Sequence, residues 1–124
     1  MKKQMFDVVV IGGGAAGMLA SAVAAERGLR VAVIEKNDFF GKKLRITGKG
    51  RCNVTNNCQV KEVIENIPNG GKFLYGAVAS FSPDDVMEMF ENLGVPLKTE
   101  RGRRVFPQSD KAADIVQALI RKMN

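Results

Sequence analysis

The 124-residue chain is long enough for one globular domain, because 45% of its residues are hydrophobic and can bury a modest core. Its net charge of +6 favours an anionic partner, and we expect a small anionic ligand rather than nucleic acid, since one Tyr and no Trp leave few aromatics for stacking on bases. The absence of histidine excludes Ser-His-Asp and Cys-His catalysis, and two cysteines alone cannot form a zinc site, so we expect no metal.

The N-terminal segment allows two interpretations. A basic start, an uncharged run over residues 8–25 and a small-residue end are typical of a signal peptide or a membrane helix. Three consecutive glycines, Gly12 to Gly14, would weaken a spanning helix by about 1 kcal/mol each relative to Ala. We therefore expect no membrane segment, a cytoplasmic location and reduced thiols.

The first 35 residues show a strand, glycine turn, helix and second strand. Residues 5–11 are a β-branched run of strand length, and residues 13–28 are alanine-rich and end at Gly28 in the C′ position. Residues 30–35 repeat the strand pattern, which completes a β-α-β unit with a right-handed crossover. Near-continuous apolar strands further predict a parallel sheet covered on both faces.

The glycines between the first strand and the helix have the spacing of a dinucleotide site. Gly12 lets the chain turn out of the strand, Gly14 allows the backbone to approach a pyrophosphate, and Gly17 lets the helix pack close to the strand. The free N–H groups of residues 14–17, Ala15 and Ala16 among them, would hold that pyrophosphate at the positive helix end. A merely structural glycine turn is the alternative.

Glu35 completes the pattern, because it ends the second strand 23 residues after Gly12. An acidic side chain at this offset accepts hydrogen bonds from an adenosine ribose and disfavours the 2′-phosphate of NADP. The sequence therefore predicts an α/β fold: a Rossmann-like FAD- or NAD(P)-binding β-α-β unit with a parallel sheet, plus helices and a small hairpin.

Residues 41–56, GKKLRITGKGRCNVTN, contain five cations, three glycines and a cysteine, which is too polar for core. Together with residues 8–38, this stretch closely resembles the family of FAD-dependent oxidoreductases that includes the aminoacetone oxidase-like and the bile-acid 3-dehydro-Δ4,6-reductase-like proteins. Residues 102–116, GRRVFPQSDKAADIV, resemble a third signature of that family. The resemblance extends from about Phe6 to the last residue.

The resemblance implies FAD as cofactor, a small-molecule substrate, NAD(P)H as a possible electron donor and hydride transfer through flavin N5. In the family, the segment matching 41–56 passes beside the FAD, where glycines bring backbone N–H groups close and Lys and Arg side chains favour the anionic reduced flavin. The implied cofactor-binding residues beyond Glu35 are Lys36, Lys42, Lys43, Gly50, Arg51, Cys52 and Asn53. A solvated basic loop is the alternative, and the sequence identifies no catalytic residue.

Cys52 raises a second functional hypothesis, a dithiol flavin reductase. Disulfide reductases of the wider flavoprotein class place a C-x4-C pair at the start of a helix shortly after the ribose acid. Here five turn-forming residues separate Cys52 from Cys58, so the spacing does not match.

The second half of the chain predicts accessory structure. Ser82 and Pro83 begin a helix that ends at Gly94. Residues 95–107 predict a hairpin turning at Arg101 and Gly102, and Ser109 predicts the cap of a final helix over residues 110–123. The cationic cluster of the hairpin is expected to face solvent, with substrate recognition as the alternative; it comprises Lys98, Arg101, Arg103 and Arg104.

The length of the chain is the main departure from the family, whose members are several times longer. We expect residues 1–124 to be the N-terminal part of an FAD/NAD(P)-binding Rossmann-like domain, an incomplete domain that the C-terminal remainder of a flavoprotein completes. Whether the chain alone is an enzyme stays open, and we expect it to be inactive. A nucleotide-binding fragment without catalytic activity is therefore a further alternative to hydride transfer.

Overall fold

A computed structural model describes residues 3–124 of the chain, and these residues form two compact units. Residues 3–52 and 111–124 form the first, which we call the glycine-loop unit, and residues 53–110 form the second, which we call the hairpin unit. In chain order the elements are β1 (Val8–Ile11), α1 (Ala15–Glu26), β2 (Val31–Ile34), α2 (Lys42–Ile46), β3 (Thr55–Asn56), α3 (Val60–Glu65), α4 (Tyr75–Ser80), α5 (Pro83–Asn92), β4 (Leu97–Glu100), β5 (Arg104–Pro107) and α6 (Ala112–Met123).

The predicted β-α-β unit is present, with elements slightly shorter than the sequence patterns. Strands β1 and β2 pair in parallel, with Val8 opposite Val31 and Ile11 opposite Ile34. Helix α1 ends at Glu26 with Arg27 as its C-cap, and Gly28 follows at C′ with φ +84°, a left-handed conformation that glycine adopts without a Cβ penalty. The prediction of a Rossmann-like α/β fold is confirmed.

One expectation about this sheet is wrong, because only one of its faces is covered within the glycine-loop unit. Helix α1 packs on β1 and β2. On the opposite face the side chains of Val9, Ile11 and Ile34 are 52%, 77% and 57% exposed. A continuous apolar strand indicates that both faces of the sheet are suited to burial. It does not show that the helices covering the second face lie within the same stretch of chain.

Helix α6 packs against the helices of the glycine-loop unit and completes its core. It contacts α1 and α2, and Ile115 and Val116 on its inner side are fully buried with Met18 of α1. Gly41 is enclosed here, because a Cβ at that position would lie 2.8 Å from Val116 Cγ2. The start of α6 was predicted wrongly: the cap is Lys111, not Ser109, since Asp110 adopts φ +60° and cannot be part of a right-handed helix.

The hairpin unit contains a three-stranded antiparallel sheet in the order β3-β5-β4. The predicted hairpin is confirmed, with Glu100 opposite Arg104 across the turn at 101–103. Helix α5 also follows its prediction, because the Ser82 hydroxyl accepts a hydrogen bond from the Asp85 N–H at 3.2 Å. Among residues 3–124, no helix has the length and apolar character needed to span a membrane.

Candidate functional site

Two of the three motif glycines are required by the fold itself, Gly12 by its backbone conformation and Gly17 by the lack of space for a side chain. Gly12 adopts φ +101° and donates its N–H to the Ile34 carbonyl at 2.8 Å, which joins the end of β1 to the end of β2. Gly17 lies against that turn, and a Cβ there would sit 1.9 Å from the Gly12 carbonyl oxygen. Only glycine fits at position 17 without moving the backbone of the turn.

Gly14 differs from both, because a Cβ at this position would meet nothing within 4 Å. It is the N-cap of α1, it is exposed, and no side chain caps the helix. The first N–H groups of a helix have no partner inside the helix and carry its partial positive charge. Glycine at 14 therefore leaves open space in front of an uncapped helix end, and this arrangement fits a pyrophosphate group.

Gly13 is buried, and both its backbone N–H and its carbonyl are hydrogen-bonded. Its N–H donates to Glu35 Oε1 at 2.9 Å, and its carbonyl accepts from the Gly41 N–H at 2.8 Å. A Cβ here would lie 2.2 Å from Cδ1 of the Phe40 ring. Gly13 occupies a variable position of the G-x-G-x-x-G motif, so the motif did not predict this role; the run of three glycines was the available signal.

Glu35 is half-buried, and its carboxylate is held in one orientation by three hydrogen bonds. Hydrogen bonds from the backbone N–H groups of Asn37 and Gly13 lower its pKa most, and the Asn37 side chain and the Lys36 charge lower it further, against the opposing effect of burial. The carboxylate is consequently ionised at neutral pH, the state that accepts hydrogen bonds only.

A cleft of about 290 Å³ lies beside Glu35. Its walls are built by the residues that follow β2 in sequence and by one residue of β2, namely Val33, Glu35, Asn37, Asp38, Phe39 and Phe40. The Phe39 ring is 49% exposed and also carries the Arg45 guanidinium at 5.6 Å from its centroid. A cleft that combines aromatic and polar side chains, with a fixed carboxylate on one wall, is suited to a ribose with an attached planar base.

The segment from Gly41 to Cys52 begins as helix α2 and continues as a tight turn. Lys42 and Lys43 are exposed in the first turn of α2. Gly48 and Lys49 then adopt left-handed conformations with φ +57° and +58°, and Gly50 follows with φ +86°. The predicted cationic segment is thus an ordered element with exposed lysines, and neither α2 nor this turn was expected from the sequence.

The two cysteines have different surroundings. Cys52 is only 1% exposed, adopts φ +64°, and donates its backbone N–H to the Thr47 carbonyl at 3.0 Å. Burial raises the pKa of its thiol. Cys58 is half-buried, and both residues are free thiols. A buried cysteine with a raised pKa has the properties of a structural residue, whereas redox-active cysteines are accessible and have lowered pKa values.

The cationic cluster of the hairpin unit is largely engaged in ion pairs and hydrogen bonds. Lys98 contacts Glu100 at 3.1 Å and Asp110 at 2.8 Å. The Arg103 guanidinium pairs with Glu62 of α3, and this hydrogen bond lowers the pKa of Glu62. The charges of Lys98 and Arg103 are therefore paired within the hairpin unit, and the choice between a solvent face and substrate recognition stays a prediction.

The structure therefore places most of the predicted cofactor residues in one compact unit. Those from Gly12 to Cys52 lie in the glycine-loop unit, and Asn53 begins the hairpin unit. The residue that sequence reasoning missed beside Glu35 is Asn37, which gives two hydrogen bonds to that carboxylate. Its proximity to the acid in sequence was a signal, but an Asn after a strand more often forms a turn.

The sequence matches the family described as HI0933-like protein Rossmann domain over residues 6–124, and the chain belongs to this family. It is 33% identical to the 3-dehydro-bile acid delta(4,6)-reductase of Clostridium scindens, over 93% of this chain and 28% of that protein. It is 32% identical to the ribosomal RNA dihydrouridine synthase of Escherichia coli, over 94% of this chain and 28% of that protein.

A solved structure of a flavoprotein is also similar to this chain. The open conformation of a flavocytochrome c3 fumarate reductase superposes with a TM-score of 0.67 at 27% identity, over 94% of this chain and 24% of that one. The predicted family resemblance is confirmed, and the chain is an FAD-binding Rossmann portion of the kind found in flavin oxidoreductases. It spans 28% of the length of the two curated relatives.

Proposed function

We propose that this HI0933-like Rossmann chain binds the adenosine and pyrophosphate half of FAD and belongs to a flavoprotein that transfers a hydride to or from a small-molecule substrate. The observation that supports the proposal most directly is the open space at Gly14. That space lies in front of an uncapped helix end, although Gly13 and Gly17 beside it are tightly enclosed. Open space around a glycine does not by itself indicate a ligand, because Gly76 has it too; at Gly14 it coincides with an uncapped helix end and with the G-x-G-x-x-G spacing, and together these favour a ligand that approaches the backbone there.

The glycine loop and Glu35 have separate tasks in this proposal. The N–H groups of Ala15, Ala16 and Gly17 hold the pyrophosphate, and the partial positive charge of the α1 N-terminus favours its negative charge. Glu35 accepts a ribose hydroxyl from the cleft that it lines. The hydrogen bond between Gly13 and Glu35 fixes the distance between the pyrophosphate-binding loop and the ribose-binding carboxylate in the absence of ligand.

The segment from Gly41 to Cys52 contributes charge in this proposal. Lys42 and Lys43 are exposed and, with Lys36, Gly50, Arg51, Cys52 and Asn53, complete the proposed cofactor-binding set. The positive field of the four cations in this set, Lys36, Lys42, Lys43 and Arg51, would favour a reduced, anionic flavin over a neutral one. FAD, when bound, supplies hydride transfer at its N5 atom, and the protein supplies position and electrostatics.

The chain by itself is expected to bind FAD weakly and reversibly, without turnover. Its matches cover about a quarter of the related proteins, so in the full-length protein other segments are proposed to complete the flavin end of the site and to exclude water. NAD(P)H is the proposed electron donor of that complete protein.

FAD titration of the wild-type protein and of Gly14→Val tests the proposal. Position 14 has φ −87° and ψ −165°, which valine adopts readily, so the variant should fold and lose FAD affinity by more than about a hundredfold. Gly76→Val is the matched control, because Gly76 also has open space around its Cβ position and lies in α4 of the hairpin unit.

The measurement is quenching of FAD fluorescence, with circular dichroism to confirm folding of each protein. Gly76→Val should bind FAD as the wild type does. If Gly14→Val binds FAD with unchanged affinity, the pyrophosphate does not lie at the start of α1 and the proposal is wrong. If the wild-type chain binds FAD stoichiometrically and oxidises NAD(P)H, the expectation of inactivity for the chain alone is wrong.

A further inference from the structure

The carboxylate of Glu35 has few acceptor sites left for a ligand. An ionised carboxylate offers about four lone-pair sites, two on each oxygen. Oε2 receives the Asn37 backbone N–H at 2.7 Å and the Asn37 Nδ2 at 3.0 Å, and Oε1 receives the Gly13 N–H at 2.9 Å. Three sites are occupied, and the remaining one is on Oε1.

A ribose presents two vicinal hydroxyl groups, and each loses its bonds to water when it enters a cleft. A hydroxyl that finds no acceptor there weakens binding, because its desolvation is not compensated. Glu35 can accept one of the two hydroxyls while it keeps its three present donors. The second hydroxyl needs another acceptor within the same cleft.

Asn37 has such an acceptor. Its side chain lines the cleft next to Glu35, and its Nδ2 is directed at the Glu35 carboxylate. A carboxamide carries its oxygen in the same plane as its nitrogen, and that oxygen has two lone pairs. The contact with Glu35 therefore uses the donor end of the Asn37 amide, and the acceptor end is available beside the carboxylate.

We propose that Asn37 is a second ribose ligand, so that Glu35 Oε1 accepts one ribose hydroxyl and Asn37 Oδ1 accepts the other. This inference depends on the proposed function, since it concerns the ribose of the same dinucleotide. It adds to the site a neutral residue whose position is fixed by its own hydrogen bonds to the acid.

Asp38 is the competing acceptor, because it also lines the cleft. It is exposed, and its negative charge would add to that of Glu35, whereas Lys36 is the neighbouring cation that lowers the pKa of Glu35. Asn37 accepts a hydroxyl without a second negative charge, and its side chain is already ordered by Glu35. These two points favour Asn37.

Titration calorimetry with ADP, 2′-deoxy-ADP and 3′-deoxy-ADP separates the two hydroxyls. The wild-type protein should bind ADP about five- to tenfold more tightly than either deoxy form, which is the effect of one net hydrogen bond each. Asn37→Ala should lose the preference at one hydroxyl and keep it at the other. Asp38→Ala should keep both preferences. Asn37→Leu, which is similar in shape and has no acceptor, replaces Asn37→Ala if the alanine variant does not fold.

Each preference is a ratio measured within one protein, so a general weakening of the site cancels. The Asn37 assignment is overturned if Asn37→Ala keeps both preferences, or if the loss occurs in Asp38→Ala. It is also overturned if Asn37→Ala loses both preferences, because Asn37 would then only orient Glu35. A wild-type protein that binds neither FAD nor ADP instead contradicts the proposed function itself.

Discussion

The two glycine-rich segments of the glycine-loop unit are built in different ways. In the loop from Gly12 to Gly17, every glycine other than Gly14 is required by the protein's own packing or backbone, as the positive φ of Gly12 and the enclosed positions of Gly13 and Gly17 show. In the segment from Gly41 to Cys52, left-handed backbone is shared between glycines and the non-glycine residues Lys49 and Cys52.

The loop from Gly12 to Gly17 is therefore determined by steric fit, whereas the segment from Gly41 to Cys52 contains strained backbone. A non-glycine residue in the left-handed region costs roughly 1 kcal/mol or more and persists only where the surroundings hold it or its side chain has a use. Cys52 is held by burial. Lys49 is exposed, so nothing in the packing accounts for a lysine at that position.

The largest expected effect on stability is that of Gly17→Ala. Its Cβ would lie 1.9 Å from the Gly12 carbonyl oxygen, a backbone atom that cannot rotate away, so α1 must separate from the β1 turn. We expect a loss of about 3 kcal/mol or more of the free energy of unfolding, measured by urea denaturation.

Gly14→Ala is the matched control for this prediction, because it makes the same change three residues away, where a Cβ meets nothing within 4 Å. Its unfolding free energy should remain within about 0.5 kcal/mol of the wild type. Equal stability of the two variants would show that the enclosure of Gly17 does not determine the fold of the loop.

The parts of the site that could be predicted from the sequence are those that depend on short-range geometry. The G-x-G-x-x-G spacing and the acid at 35 depend on short-range geometry that recurs in β-α-β units, and the structure joins the two segments through the hydrogen bond from the Gly13 N–H to Glu35; their role in cofactor binding stays a prediction. The hydrogen bond of Asn37 to Glu35 depends on the path of the chain after β2, which no motif encodes.

Longer-range features were predicted less well for a related reason. The open face of the β1–β2 sheet was missed because the pattern of apolar residues indicates which faces are suited to burial but does not identify the element that covers them. The first residue of α6 was misplaced because Ser109 satisfied the capping rule, while Asp110 takes a left-handed conformation that propensity alone does not reveal. Short elements such as α2 and β3 are determined by tertiary contacts more than by their own sequence.

Cys52 is the left-handed residue whose conformation is held by burial. In the folded protein a thiol-specific reagent should modify Cys52 about a hundredfold more slowly than the half-buried Cys58, because Cys52 reacts only after local opening. Burial raises the pKa of Cys52, so its thiolate fraction at neutral pH is lower than usual, and its rate should keep rising at a pH where an ordinary cysteine has levelled off.

Mass spectrometry of the two cysteine-containing peptides measures both rates, and the same reaction in urea is the control in which the two rates should converge. Faster modification of Cys52 than of Cys58 would contradict its structural role and would favour the dithiol hypothesis instead.

The smallest expected effect concerns Lys49, the left-handed residue that packing does not explain. Lys49→Gly should raise the free energy of unfolding by about 0.5–1 kcal/mol, because glycine adopts φ +58° without the Cβ penalty. Lys43→Gly is the matched control, since it makes the same change on the right-handed backbone of α2 and should lower stability by a similar amount.

If the proposed positive field is the reason for a lysine at 49, Lys49→Gly should be more stable and yet bind FAD a few-fold more weakly. Urea denaturation and FAD titration of the same preparations measure the two quantities, and a variant that gains stability with unchanged FAD affinity would show that Lys49 contributes nothing to FAD binding.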